Sequence, residues 1–258
     1  MKIGDKNFEN YTYVMAIINL TPDSFFAESR KTCDEALFAV ERAVKDGAAL
    51  IDIGAQSTRP GYTEVSAAEE IVRFESAVMQ IKKNFDVPLS VDTYFSESAA
   101  CALELGADMI NDIWGLTRGK EIADCVAKHG ASVCIMHNAE RPVTGDMWRQ
   151  VENFLQNGVN VALKAGIERE RICLDGGIGF AKNREQNFEL LNGYERLNSL
   201  GYPLLIGTSR KSMFGGRIED RLLPTLESTR TAAEKRVLFV RVHDVKENVD
   251  TIKKVYGA

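Results

Sequence analysis

Asn19, Asp92, Asn111, His137 and Asp175 share a position in this sequence, each standing at or just beside the end of a short apolar run. A further run ends at Gly54 and leads into Gln56, Ser57, Thr58 and Arg59; the last two lead into Ser209, Arg210 and Lys211 and into Arg241 and His243. Gathered at one mouth, these ends supply two carboxylates, two amides and several cations, an inventory that suits a polar heterocycle joined to an anion. Singly, each residue has a commonplace alternative. A strand-end Asp often caps the next helix, Asn111 is of a type that shapes turns, and Lys211 and Arg241 are of types that mostly lie in solvent. Recurrence across segments far apart in sequence is what points to a site.

Such a site needs elements that deliver many chain segments to one place. The runs are YVMAIIN (13–19), ALIDIG (49–54), PLSVD (88–92), ADMIND (107–112), ASVCIMH (131–137), RICLDG (171–176), PLLIGTS (203–209) and VLFVRVHD (237–244). Most are apolar through their middle, as strands buried on both faces should be. Amphipathic stretches separate them. Thr32 with Glu35, and Ser66 with Glu69, have the spacing of a capping box. Leu37, Val40 and Val44 then recur on one face up to Gly47, and Ile71, Phe74, Val78 and Ile81 recur on another before Lys82 and Lys83. Trp148, Val151, Leu155 and Ala162 repeat the pattern, with Gly166 placed to end the helix. Eight such βα units in 258 residues predict an α/β fold, a (β/α)8 TIM barrel occupying residues 1–258 as one domain. A doubly wound open sheet is the alternative. A barrel carries its chemistry at the C-terminal strand ends, where the polar residues fall.

The bulk composition narrows the partners. With 32 Lys and Arg against 37 Asp and Glu the net charge is −5, so no global positive field gathers nucleic acid or anionic lipid. Between Leu205 and Arg241, however, eight basic residues face four acidic ones, a local excess where barrels hold phosphate. The N-terminal MKIGDKNFEN has no apolar core of a signal peptide, and Val14 to Ile18 is far too short to span a bilayer, so a cytoplasmic protein without membrane contact is expected. Five Cys without a C-x-x-C pair are expected to be reduced, mostly core, residues. There is no G-x-S-x-G elbow, no P-loop and no zincin spacing among the three His; GGIGFA (176–181) lacks the third Gly of a dinucleotide fingerprint.

In order along the chain, IINLTPDSF (17–25), STRPG (57–61), SVDTY (90–94), IND (110–112), MH (136–137), GIGF (177–180), GTSRKSMFG (207–215) and RVHDV (241–245) resemble the dihydropteroate synthase family. That resemblance implies a (β/α)8 barrel that joins 6-hydroxymethyl-7,8-dihydropterin diphosphate to 4-aminobenzoate, releasing pyrophosphate and forming 7,8-dihydropteroate for folate synthesis. It further implies that Asp92, Asn111, Asp175 and Lys211 hold the pterin, with Arg241 against the ring. Asn19, Thr58, Arg59, Arg241 and His243 would hold the diphosphate with Mg2+ near Asn19, and Pro60, Phe180 and Ser212 would lie around the aminobenzoate. Asp92, Lys211, Arg241 and His243 would act in catalysis, by stabilising the leaving pyrophosphate and the electron-deficient pterin carbon. A homodimer through the late helices is also implied.

The chain departs from the family pattern in places. After Phe25 it has Phe26, Ala27 and Glu28 where the family has Asp and a Gly pair; Ala55 and Gln56 replace Gly-Glu, and Asp175, Gly176 and Gly177 replace Asp-Pro-Gly. The segment LESTRTAAEKRVLF lacks the family's usual small-residue helix and Gly-Ala turn. These departures leave open a catalytically weak pterin-binding paralogue. A pterin methyl-transfer barrel is disfavoured by the anion set at Arg59, Arg241 and His243.

Overall fold

The computed structural model describes residues 1–20, 29–56, 65–118 and 120–257. A short antiparallel hairpin, β1 (Lys2–Ile3) and β2 (Lys6–Asn7), opens the chain. The apolar runs follow as β3 (Tyr13–Asn19), β4 (Leu50–Gly54), β5 (Leu89–Asp92), β6 (Met109–Asp112), β7 (Ser132–Met136), β8 (Ile172–Asp175), β9 (Leu204–Ile206) and β10 (Phe239–Val242). They pair in parallel in chain order, and β10 pairs with β3 through Phe239↔Tyr13 to Val242↔Ala16. That closure makes the expected barrel and excludes the open sheet.

Alternation along the strands separates two cores. Val14, Ala16, Ile18, Ile51, Ile53, Val91, Val133 and Leu174 pack outward against the helices. Met15, Leu50, Met109, Cys134, Cys173, Leu205 and Phe239, one from nearly every strand, pack together inside. Ile3 and Phe8 plug this inner cluster from below, and Ser132 donates to the Lys2 carbonyl at 2.6 Å. The hairpin that delivers them has strands too short to show a period in sequence.

Helices α1 (Ser29–Lys45), α2 (Ala67–Asn84), α3 (Ser96–Glu104), α4 (Lys120–Lys128), α5 (Met147–Ala165), α6 (Arg184–Asn192), α7 (Leu222–Glu234) and α8 (Val245–Tyr256) fill the connections. Ser66 caps α2 by accepting the Glu69 N–H at 3.2 Å, and Phe74, Val78 and Ile81 are buried as read. On α5, Asp146 is the N-cap, Trp148, Val151, Leu155 and Ala162 are buried, and Gly166 closes the helix at φ 98°. The first helix differs from its reading: Thr32 lies inside α1, and Val44 is exposed while Val40 is buried. The S/T-x-x-E spacing also occurs within helices, so it does not by itself fix a start. Among the described residues no helix is long and apolar enough to cross a membrane.

Candidate active site

Register brings the polar strand ends to one level. Asn19 lies beside Gly54, Gly54 beside Asp92, Asp92 beside Asn111, and Met136 beside Asp175. Four residues spread over 92 positions of sequence thus become successive neighbours around the first half of the rim, from Asn19 to Asn111. Asp92 does not cap the next helix, because α3 starts at Ser96 with Phe95 as a cap that makes no side-chain bond. The turn after β6 is shaped by Asp112, which accepts from the Trp114 and Leu116 N–H groups at 2.7 Å each, and Asn111 is left to the barrel mouth.

Arg241 is the centre of the arrangement. Its Nε donates to Asp52 Oδ2 and its Nη2 to Asp92 Oδ2, both at 2.6 Å. Asp52 sits one turn of the pleat below the rim and is fully buried. Burial opposes the guanidinium's charge, but Asp52 and Asp92 more than offset it and hold the Arg241 pKa above its ordinary value. Burial pushes the Asp92 carboxyl up to about 7; Arg241 draws it down, while Asp52, Glu70 and Asp112 push it further up. The sequence reading missed Asp52. Its signal was a charge in the middle of the apolar run ALIDIG, where a strand buried on both faces should have none.

Asp175 and Lys211 face each other's charge across the mouth. Asp175 Oδ1 accepts from the Gly177 N–H at 2.7 Å and lies 3.1 Å from the Tyr194 hydroxyl, whose single proton it shares with the Leu205 carbonyl at 2.6 Å, and among the described residues Oδ2 makes no hydrogen bond. Burial raises the Asp175 pKa, with Lys211, the Gly177 N–H and Tyr194 acting against it. Lys211 donates to the Ile178 carbonyl and lies over the Phe180 ring at 4.7 Å from its centroid. Burial lowers the Lys211 ammonium to about 8 against the pull of Asp175. Phe180 joins Tyr94, Phe95, Ile113, Trp114 and Met136 in an apolar wall beside the polar pocket.

On the opposite side, Asn19 Nδ2 and His243 Nε2 stand 3.4 Å apart, and His243 Nδ1 meets Ser209 Oγ at 2.9 Å. Ser212 is exposed at the start of the short turn Ser212–Phe214, directly after Lys211. Thr58, Arg59 and Pro60, and the divergent Phe26, Ala27 and Glu28, lie outside the described residues. Arg210, read as part of the cationic rim, is committed elsewhere: it pairs with Asp244 through bonds of 2.8 and 2.7 Å and so ties the loops after β9 and β10 together. Lys182 is a second residue the sequence reading missed; its ammonium reaches His137 Nδ1 at 2.9 Å beneath the loop that carries Phe180.

A family model described as pterin binding enzyme matches residues 15–243. The dihydropteroate synthase of Clostridium beijerinckii is 44% identical over 256 residues, covering 96% of this chain and 95% of the relative. That of Streptococcus pyogenes serotype M6 is 43% identical, covering 98% and 97%. Among solved structures, dihydropteroate synthase from Clostridium difficile in the presence of pteroic acid matches with a TM-score of 0.94 at 38% identity over 98% of both chains. The Xanthomonas albilineans protein with 4-aminobenzoic acid matches at 0.90 and 35% identity, over 96% of this chain and 93% of that one.

Proposed function

The chain belongs to the dihydropteroate synthase family of transferases, and from that premise we propose how its own residues divide the work of joining 6-hydroxymethyl-7,8-dihydropterin diphosphate to 4-aminobenzoate. Asp175 accepts the paired donors of the pterin's amino and N3–H edge. Tyr194 and the Gly177 N–H already occupy Oδ1 and fix the carboxylate's plane, which leaves Oδ2 for the ligand. Lys211 donates to the ring's carbonyl and nitrogen acceptors, and Asn111 and Asp92 complete the pocket. Arg241, held flat by Asp52 and Asp92, lies against the ring.

Substitution at the pterin CH2 breaks the carbon–oxygen bond to the diphosphate, forms a bond to the arylamine nitrogen, and releases one N–H proton from that nitrogen to the departing pyrophosphate or to solvent. Arg241, His243, Thr58 and Arg59 stabilise the charge on the departing pyrophosphate, and Asp92 and Asp175 stabilise the positive character left on the pterin. The arylamine is a competent nucleophile, so no strong base is required. Phe180 forms the wall on which the aminobenzoate lies, with Ser212 and Pro60 assigned to the same substrate.

Mg2+ is the implied metal. Among the described residues no group of three His, Cys, Asp or Glu could hold a metal ion. Mg2+ keeps several waters and is commonly bound through one or two carboxylates plus substrate phosphates; here the amide oxygen of Asn19, exposed at the end of β3 beside His243, would stand in for a carboxylate, with the diphosphate supplying the charged oxygens. When bound there it supplies charge neutralisation of the diphosphate. A homodimer in the cytoplasm completes the proposal: Leu223 on α7, 72% exposed, is an apolar residue that a dimer of the late helices would cover, and the five thiols are free. Mass measurement in dilute solution and cell fractionation test these two points, and a monomer at every concentration would refute the first.

The observation that carries the reading is the Asp52–Arg241–Asp92 bridge set beside Lys211 and Asp175 in one barrel mouth. Incubation with dihydropterin diphosphate, 4-aminobenzoate and Mg2+ should yield pyrophosphate and dihydropteroate in equal amounts. Pterin binding without product at high enzyme concentration would turn the assignment to a weak paralogue.

A further inference from the structure

The loop between β8 and α6 takes an unusual path. Gly177, Gly179 and Ala181 all have positive φ, at 71°, 85° and 50°. A Cβ on Gly177 would come within 1.9 Å of the His137 carbonyl, so the loop is pressed against the end of β7. Ala181 has no such freedom and is held in the left-handed region by its surroundings. This loop presents the Gly177 N–H to Asp175, the Ile178 carbonyl to Lys211, and the Phe180 ring to the mouth.

Lys182 reaches back under it. Its Nζ lies 2.9 Å from His137 Nδ1, 3.0 Å from the Gly177 carbonyl oxygen and 3.1 Å from the Phe180 carbonyl oxygen. An ammonium has three protons and no acceptor, so three acceptors satisfy it completely. His137 Nδ1 must then carry a lone pair, which places the imidazole proton on Nε2.

We propose that Lys182 is a positioning residue for the reaction: its three protons draw two loop carbonyls and the end of β7 onto one point, and so hold Phe180 where the arylamine is received. The proposal rests on the reading that Phe180 lies against the aminobenzoate. Its electrostatics are consistent. Burial, with Lys182 nearby, pushes His137 down to about 3 and keeps it neutral as an acceptor. Burial also lowers the Lys182 ammonium to about 7, against Asp175 and with the help of Lys211, so the three-proton clamp is complete below that pH and loses one donor above it. Asn187, which accepts the Gly179 N–H at 2.6 Å, and Val143, whose N–H donates to the Ala181 carbonyl at 2.7 Å, anchor the loop's other points. Neither touches the Gly177 or Phe180 carbonyl, so their placement by a side chain falls to Lys182.

The test is steady-state kinetics of Lys182→Met, Lys182→Gln and Phe180→Ala in the full-length enzyme, with thermal unfolding of each and 15N spectra of the three His. Lys182→Met should raise KM for 4-aminobenzoate about 10-fold, with kcat changed less than about 3-fold, because a contact made equally to bound substrate and transition state shows in KM and not in kcat. Lys182→Gln, which keeps two amide donors and guards against misfolding of the Met variant, should lie between. The lone-pair nitrogen signal of His137 should move in Lys182→Met, because its donor is gone. An unchanged KM for the arylamine in both variants, or losses of kcat and both KM values in proportion to thermal stability, would overturn the proposal. If Phe180→Ala leaves that KM unchanged, the aminobenzoate placement is wrong; if Phe180→Ala raises it and Lys182→Met does not, the clamp is wrong.

Discussion

Substituting Asn for Asp52 separates the electrostatics of the barrel mouth from its shape. Asn keeps the size and one acceptor for Arg241 Nε, but it removes a buried negative charge that shares a guanidinium with Asp92. Two carboxylates on one guanidinium sit roughly 6 Å apart, and at an effective dielectric of about 20 their repulsion is roughly 3 kcal/mol, or about two pKa units. Asp52 is one of the groups that push the Asp92 carboxyl up to about 7. Without it, and with Arg241 left to Asp92 alone, the Asp92 pKa must fall. If ionised Asp92 is needed to bind and stabilise the pterin, kcat/KM of the unaltered enzyme declines as pH drops through about 7. In Asp52→Asn that acid limb should move down by about one to two units, while stability at pH 8 falls by about 1–3 kcal/mol for the weakened charged hydrogen bond. The assay is kcat/KM for dihydropterin diphosphate between about pH 5 and 9, beside urea unfolding. An acid limb that stays in place while stability falls would refute the electrostatic role and leave Asp52 as a packing residue.

Further substitutions probe the remaining parts of the site and its frame. Asp175→Asn should weaken pterin binding in calorimetry by about 1–3 kcal/mol, and an unchanged affinity would mean that the carboxylate only shapes the Gly177 turn. Arg241→Ala should abolish most turnover and pyrophosphate binding, whereas Lys235→Ala, which loses only contacts to Asn192 and Glu195 before β10, should change neither; equal effects would contradict the register of the last strand. Arg210 holds the Asp244 carboxyl below its usual range, so the pair's contribution is present above the unfolded carboxylate pKa near 4 and is lost as pH falls through the lower folded value. Asp244→Asn should therefore destabilise by about 1–3 kcal/mol at neutral pH and progressively less in acid, as urea unfolding at the two pH values would show. Glu28→Gln should raise the Mg2+ requirement in rate titrations if that residue replaces the family's loop Asp, and superimposable curves would exclude it.

The strands were legible because a parallel barrel strand is buried on both faces, and that condition writes a continuous apolar run into the sequence without reference to any partner. The N-cap of α2 at Ser66 and the closure of α5 at Gly166 were legible for a similar reason: each is satisfied within one turn of chain. The strand-end positions of Asp92, Asn111, Asp175 and Lys211 followed from those runs, and their convergence followed once the barrel did. What sequence could not assign was which charge answers which. Arg241 and Asp52 are 189 residues apart, and only closure of β10 onto β3 carries the guanidinium over the second strand of the barrel. The β1–β2 hairpin was invisible because its strands are two residues each, too short for a period. Lys182 was hidden because its value lies in three acceptors from two loops, and a side chain's partners across a barrel are fixed by the packing of the strands beneath it rather than by its neighbours in the chain.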